Sequence, residues 1–337
     1  KILKKFKQLL LMKINYIIIA GSSGGHILPA ISLINSLSDT KKKIVFITNT
    51  EGLKFIPLIN NQDCIVKVFE QSNKIKIIFS QFTNCSHYFL KNKNVKVIGF
   101  GGFLSVMPIF LGKLFNFILK HNLIYIHEQN IIYGLANKIN YFFTNYSFIS
   151  FPRTKLKKKE IYVGNYFKKN IKSNYAQQSG KIKILLIGGS AGSLDLNNKL
   201  LDFIKEIPQE DRINFEFKIQ IPPSYESIKD KYKKLSSNVF FFSFINDIKF
   251  NDYDLIFSRC GSGSMFEILY FTNNVYFLPH LHSRDMHQQY NKEFFIRKLN
   301  IKDEIPYYKN LKSNSDFYFN KIINPFSIHK IFSFISK

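Results

Sequence analysis

A histidine inside a glycine run is the first group in this chain placed to do chemistry. Residues 21–30 read GSSGGHILPA, directly after the apolar run INYIIIA, which reads as a strand. Glycines at a strand's end let the backbone approach a ligand closely, and the N–H groups of a following helix start attract an anion such as a phosphate. An imidazole adds something a plain phosphate loop does not need, a group that exchanges a proton near pH 7. His26 is therefore a candidate for acid/base work.

Glycine loops recur as GFGGF at 99, GGSAGS at 188 and RCGSGS at 259, each after a predicted strand and on the same sheet edge. None fits a dinucleotide fingerprint with its ribose-binding acid, and no GxxxxGK[ST] phosphate loop is present. HEQN at 127–130 ends a further strand, and four consecutive hydrogen-bonding side chains there suit a sugar or its activated donor. Glu267 lies on the helix after RCGSGSM, eight residues beyond Arg259. It reads either as a solvated helix carboxylate or as the acceptor for both hydroxyls of a ribose. Gln288 and Gln289, in HQQYN at 287–291, could pair with sugar hydroxyls or simply form a helix surface.

The elements that must hold these groups follow from length and pattern. A chain of 337 residues exceeds what one core usually serves, and 45% apolar with 21% charged residues belongs to a folded protein. Short β-rich runs alternate with helical stretches (28–38, 106–119, 133–142), and the alternation restarts at KIKILLIGGSAGSLDLNN. The fold class is α/β, with two Rossmann-like domains facing across a cleft where ligands bind at the carboxyl ends of the strands. The expected boundaries are 1–165, 166–320 and a C-terminal helix at 321–337 that packs back on the first domain, with the linker near 165–180. Met12 opens the first strand directly and is the expected start, with residues 1–11 upstream of it.

The net charge of +25 calls for an acidic partner. Residues 1–165 hold 23 Lys plus Arg against 6 Asp plus Glu, so an acidic surface would meet mainly the first half. Lysine outnumbers arginine 43 to 5, a bias that AT-rich coding would also produce. No run of eighteen apolar residues supports a spanning helix. KIKIIF, HYFLKNK and FLGKLFNFILK mix Phe, Ile and Leu with lysine, the composition of an interfacial patch or of ordinary core faces with solvated lysines. Cys64, Cys85 and Cys260 show no CxxC spacing, which fits a reducing cytosol and suggests no metal site. A nucleic-acid binder would interleave its charge with stacking aromatics on a recognisable module and gives no reason for four glycine loops, so no nucleic-acid partner is expected.

Taken together, GSSGGHILPA, GFGGFLS, IHEQNIIYGLANK, VGN, IGGSAGSLDLNN, FINDI, SRCGSGSMFEI and HQQYN resemble the MurG family, in family order from 14 to about 300. The resemblance implies a GT-B fold and an inverting transfer of GlcNAc from UDP-GlcNAc to the C4 hydroxyl of undecaprenyl-linked lipid I, giving lipid II. It implies no metal or other cofactor, and a peripheral site on the anionic cytoplasmic face of the bacterial inner membrane. It places Ser23, His26 and Asn130 at the donor sugar or reacting centre, with Gly24 and Gly25 in the same loop and His26 as general base. It places Ser190 at the diphosphate, Ile245 at the uracil, Glu267 at the ribose, and Gln288 with Gln289 at the GlcNAc hydroxyls. Lys168, in GNYFK, stands where the family usually has a phosphate-reaching arginine; a lysine keeps the charge and loses the bidentate geometry. The alternatives are a GT-B enzyme with a diacylglycerol acceptor, against which HEQNIIYGLANK argues, a non-catalytic nucleic-acid-binding protein, and a homologue that folds but turns over slowly.

Overall fold

The computed structural model describes residues 13–70, 74–119, 122–165, 180–189, 192–243, 248–280, 284–299, 301, 303–311, 331 and 334–335. The chain divides into two compact units, 1–166 with 326–337, and 167–325. Residues 1–11, most of the expected linker, Lys168, Ser190 and Ile245 lie outside the described residues.

The strands of the first unit are β1 (Tyr16–Ile19), β2 (Ile44–Asn49), β3 (Cys64–Phe69), β4 (Lys96–Gly99), β5 (Leu123–Glu128), β6 (Tyr146–Ile149) and β7 (Glu160–Tyr162). They form one parallel sheet in the order β3-β2-β1-β4-β5-β6-β7. β1 is buried along its length because helices cover both faces, and a strand shielded on two sides reads as an unbroken apolar run. Its side chains still alternate. Tyr16 and Ile18 join Ile27, Ile31 and Ile34 of α1 (Gly24–Ser36). Ile17 and Ile19 join the opposite core, under α2 (Lys74–Lys91) and α3 (Val106–Leu119). Ile331 and Ile335 are buried on the α1 face, where the Tyr125 hydroxyl donates to the Phe334 carbonyl at 3.1 Å.

Two local differences from the sequence expectation have physical causes. α1 starts at Gly24 instead of 28, because the extended Ser23 offers its carbonyl to the N–H groups of His26 (2.9 Å) and Ile27 (3.0 Å). That draws both glycines into the first turn, where backbone N–H groups have no intrahelical acceptor in any case. His26 is thus a helix residue and not a loop residue. The second difference is α2, a full helix inside 71–95, where Lys, Asn and Ser interrupt the apolar spacing. Its buried residues Ile77, Gln81, Cys85, Tyr88 and Phe89 nevertheless share one helical face.

The second unit repeats the plan with β8 (Ile182–Ile187), β9 (Phe215–Gln220), β10 (Val239–Phe242), β11 (Leu255–Arg259) and β12 (Val275–Leu278). These pair in parallel in the order β10-β9-β8-β11-β12. Helices α5 (Leu194–Glu206), α6 (Lys229–Leu235), α7 (Ser262–Phe271) and α8 (His287–Leu299) belong to the same unit. Leu196, Leu200, Phe203 and Ile204 of α5 share a core with Ile184, Leu186 and Phe217 of the sheet.

In each sheet the strand order reverses once, between β1 and β4 and between β8 and β11. Chains leaving two such neighbours diverge to opposite sides, which opens a crevice at their carboxyl ends. The four glycine loops follow these four strands.

Candidate functional site

At the carboxyl end of β1 and β4, His26 is braced from two sides. Its Nδ1 lies 2.7 Å from the Ser23 hydroxyl. Its other edge faces Gly101, where a Cβ would stand 2.8 Å from Nε2 and 3.0 Å from Cδ2. Gly101 and Gly102 have φ of +97° and +83°, a region that L side chains rarely adopt, so glycine is required there for conformation as well as for space. The Gly21 N–H donates to the Gly101 carbonyl at 3.3 Å and ties the first two glycine loops together.

β5 brings HEQN alongside, and the structure corrects the expectation for it. His127, Glu128 and Gln129 are buried, and of the four only Asn130 is half-exposed. The reason is the sheet edge: β5 runs through Glu128, so the motif's first two side chains fall inside the packed layers. His127 packs against Phe100 with ring centroids 5.2 Å apart, and its Nε2 lies 3.2 Å from the Ser150 hydroxyl. Burial, with a smaller repulsion from His26, pushes its imidazole down to about 3, so it stays neutral at physiological pH. The Glu128 carboxylate accepts from the backbone N–H groups of Asn130 (2.9 Å) and Gly134 (3.1 Å). It also accepts from the side-chain amides of Asn130 (3.2 Å) and Asn137 (2.9 Å). Burial raises its affinity for a proton above the ordinary carboxylate value and these four donors oppose the rise. The Gln129 side chain lies 3.7 Å from where a Cβ on Gly25 would be, so α1's first turn and the β5 loop are in contact range.

At the second sheet, the described glycines after β8 are held closely. The Gly188 N–H donates to Gln220 Oε1 at 3.0 Å and the Gly192 N–H to the Gly189 carbonyl at 3.1 Å. Gly189 and Gly192 have φ of +78° and +73°, and a Cβ on Gly192 would stand 2.4 Å from Pro222 Cγ. Ser193 caps α5 by accepting from the Leu196 N–H at 3.1 Å. After β11, Gly261 and Gly263 are half-buried and have open space where a Cβ would point, so among the described residues no other group closes over the start of α7 at these two positions. Glu267 is half-buried in the second turn of α7.

Nothing in the sequence marks the partners of Arg259, and its role is legible in three dimensions alone. Its guanidinium donates to the carbonyls of Leu278 (3.3 Å) and Pro279 (3.0 Å) and to Asp195 of α5 (3.0 Å), joining the ends of β11, β12 and α5. Gln288 accepts from the His280 N–H at 2.8 Å and Gln289 donates to Glu293 at 3.1 Å, so both amides hold intramolecular bonds. Immediately before α8, Asp285 and Met286 take φ of +58° and +47°, consecutive left-handed non-glycine residues of the kind that cluster at ligand clamps. Among the described residues no three His, Cys, Asp or Glu side chains converge as a metal cluster would.

Each unit therefore carries its glycine loops and helix starts at its own sheet reversal. The first adds an imidazole and a polar loop, the second a half-buried carboxylate and a guanidinium clasp. Models of the glycosyltransferase family 28 N-terminal and C-terminal domains match residues 16–149 and 183–303. A UDP-N-acetylglucosamine–N-acetylmuramyl-(pentapeptide) pyrophosphoryl-undecaprenol N-acetylglucosamine transferase of Wigglesworthia glossinidia brevipalpis is 30% identical over 304 residues, 83% of this chain and 80% of the relative. One of the same name from Wolbachia pipientis subsp. Culex pipiens is 27% identical over 286 residues, 82% and 80% of the two chains. In fold the chain is similar to the crystal structure of Acinetobacter baumannii MurG, with a TM-score of 0.62 and 19% identity over 84% and 83% of the chains. It is also similar to UDP-GlcNAc 2-epimerase from Methanocaldococcus jannaschii, with a TM-score of 0.56 and 14% identity over 96% and 99%.

Proposed function

The chain belongs to the family of UDP-N-acetylglucosamine–N-acetylmuramyl-(pentapeptide) pyrophosphoryl-undecaprenol N-acetylglucosamine transferases, built from the two domains of glycosyltransferase family 28, and from that premise we propose that it transfers GlcNAc from UDP-GlcNAc to the C4 hydroxyl of undecaprenyl-linked lipid I, giving lipid II. The observation that carries the reading is His26, held between Ser23 and Gly101 at the sheet reversal of the first unit. His26 takes the proton from the acceptor hydroxyl as it attacks the anomeric carbon, a contribution of ~10²–10⁴-fold. A single displacement inverts the α-linked donor sugar to a β-linked product. Charge grows on the departing diphosphate, where the N–H groups of the glycine loops and helix starts stabilise it.

In this reading Ser23, Gly24, Gly25 and Asn130 line the reacting centre in the first unit. Glu267 accepts the ribose hydroxyls, and Gln288 and Gln289 meet the GlcNAc hydroxyls from the start of α8. Ser190 and Lys168 at the diphosphate and Ile245 at the uracil enter by their place in the sequence.

The acceptor hangs from a polyprenyl chain, so the first unit would work on the anionic cytoplasmic face of the membrane. Support comes from α2, α3 and α4 (Leu135–Phe143), neighbouring helices without a single Asp or Glu. They expose Phe79 and Phe82, Leu114 and Phe117, and Leu135 and Phe142, with Phe117 at 83% and Phe142 at 77% exposure. Beside them the basic loop after β6 sets the Lys157 ammonium 5.8 Å from the Tyr133 ring and the Lys159 ammonium 5.4 Å from that of Tyr141. Lysines so placed contribute ~1 kcal/mol each against anionic lipid. Among the described residues no helix is long and apolar enough to cross a membrane.

The test is transfer of labelled GlcNAc to a lipid I analogue, with diacylglycerol as competing acceptor. His26→Ala should lower kcat by about 10²-fold or more with UDP affinity unchanged, and Glu267→Ala should chiefly weaken UDP binding. Transfer to diacylglycerol alone, or an unchanged kcat in His26→Ala, would refute the reading.

A further inference from the structure

We infer that Glu128 is a positioning residue that folds the Asn130 loop into the shape the transfer step uses, an inference that rests on the transferase reading above. The carboxylate closes β5 with the whole residue 2% exposed, so it does not meet substrate. Its donors come from residues 130, 134 and 137, so one side chain gathers the loop between β5 and α4. The loop makes no sheet ladder of its own, and buried N–H groups must find an acceptor somewhere. For Asn130 and Gly134 that acceptor is Glu128.

The chemistry of the pocket is one-sided. Oε1 receives the Asn130 backbone (2.9 Å) and side-chain amide (3.2 Å), and Oε2 receives Gly134 N–H (3.1 Å) and the Asn137 amide (2.9 Å). Four donors need two acceptor oxygens, which an ionised carboxylate has and a glutamine lacks. In either orientation a glutamine would turn its NH₂ group toward two N–H donors, losing two bonds and setting donor against donor. The Asn137 amide also donates to the His127 carbonyl at 2.9 Å and lies 3.5 Å from where a Cβ on Gly101 would point. The network that fixes Asn130 thus reaches the loop that braces His26.

Glu128→Gln, Asn130→Ala and their double variant test this in two ways. Amide exchange reads the loop directly: in Glu128→Gln the Asn130 and Gly134 amides should exchange at least about tenfold faster than in the parent, while Asn130→Ala keeps Gly134 protected. Transfer kinetics read the consequence: Glu128→Gln should lose about 10²-fold in kcat with UDP affinity unchanged, and the double variant should be no slower than the slower single one. Glu128→Asp keeps both oxygens on a shorter arm and should fall between parent and Gln, which supplies a folded variant if Glu128→Gln does not fold. Protected amides in Glu128→Gln, or single effects that multiply in the double variant, overturn the inference. A parent without transfer activity sinks the transferase reading instead, and the exchange arm still reports whether Glu128 holds the loop.

Discussion

Replacing Gly101 by alanine would place a methyl carbon 2.8 Å from His26 Nε2 and 3.0 Å from Cδ2. Ordinary carbon contacts begin near 3.4 Å, so the imidazole must retreat by about 0.6–1 Å. It cannot do so and keep its 2.7 Å contact with the Ser23 hydroxyl. The substitution also holds an L side chain at a φ of +97°, which costs about 1–3 kcal/mol. Displacing a catalytic group by about 1 Å is worth roughly 10²-fold in rate. The expectation is a modest loss of stability together with a kcat lower by about two orders of magnitude. UDP affinity should stay at the parental value, because the proposed nucleotide contacts belong to the second unit. Denaturant unfolding gives the first quantity, steady-state transfer to a lipid I analogue the second, and calorimetric titration with UDP the third. A Gly101→Ala protein whose kcat stays within about threefold of the parent would show that His26 does not depend on this brace or does not carry the proton.

Three further outcomes are expected. For His127 the sign runs from the buried value of about 3, below the ordinary 6.5: the neutral ring is favoured in the fold, so stability is complete above pH 6.5 and lost as pH falls toward 3. By pH 5 the loss is about 2 kcal/mol, and His127→Gln should lack this part of the pH dependence in denaturant titrations at pH 7.5 and 5; identical curves for both proteins contradict it. Gly192→Ala should destabilise by about 1–3 kcal/mol and weaken UDP binding, because its Cβ meets the stiff Pro222 ring, whereas Gly261→Ala, with φ of −66° and open space, should leave stability unchanged. Phe117→Asp with Phe142→Asp should reduce co-sedimentation with phosphatidylglycerol vesicles at least about tenfold without changing transfer to a water-soluble acceptor; unaltered sedimentation removes α3 and α4 from the membrane contact.

The sequence by itself determined the strand–loop–helix plan, because strands of a covered sheet read as predominantly apolar runs and a glycine follows within two residues of the end of each of β1, β4, β8 and β11. It also determined which residue types could do chemistry, since an imidazole in a glycine loop is conspicuous without coordinates. Only the tertiary structure decided which of them face outward. HEQN reads as four equivalent polar side chains, yet β5 carries the first two into the packed layers, Gln129 is buried just beyond its end, and Asn130 alone is half-exposed. Glu128 and Asn137 are nine residues apart and Arg259 and Asp195 are 64 apart, and nothing local marks either pair as partners. Local patterns record the period of a strand or helix, which depends on near neighbours. Burial, proton affinity and the choice of hydrogen-bond partner depend on what the rest of the chain brings alongside, and that is settled only when the layers close.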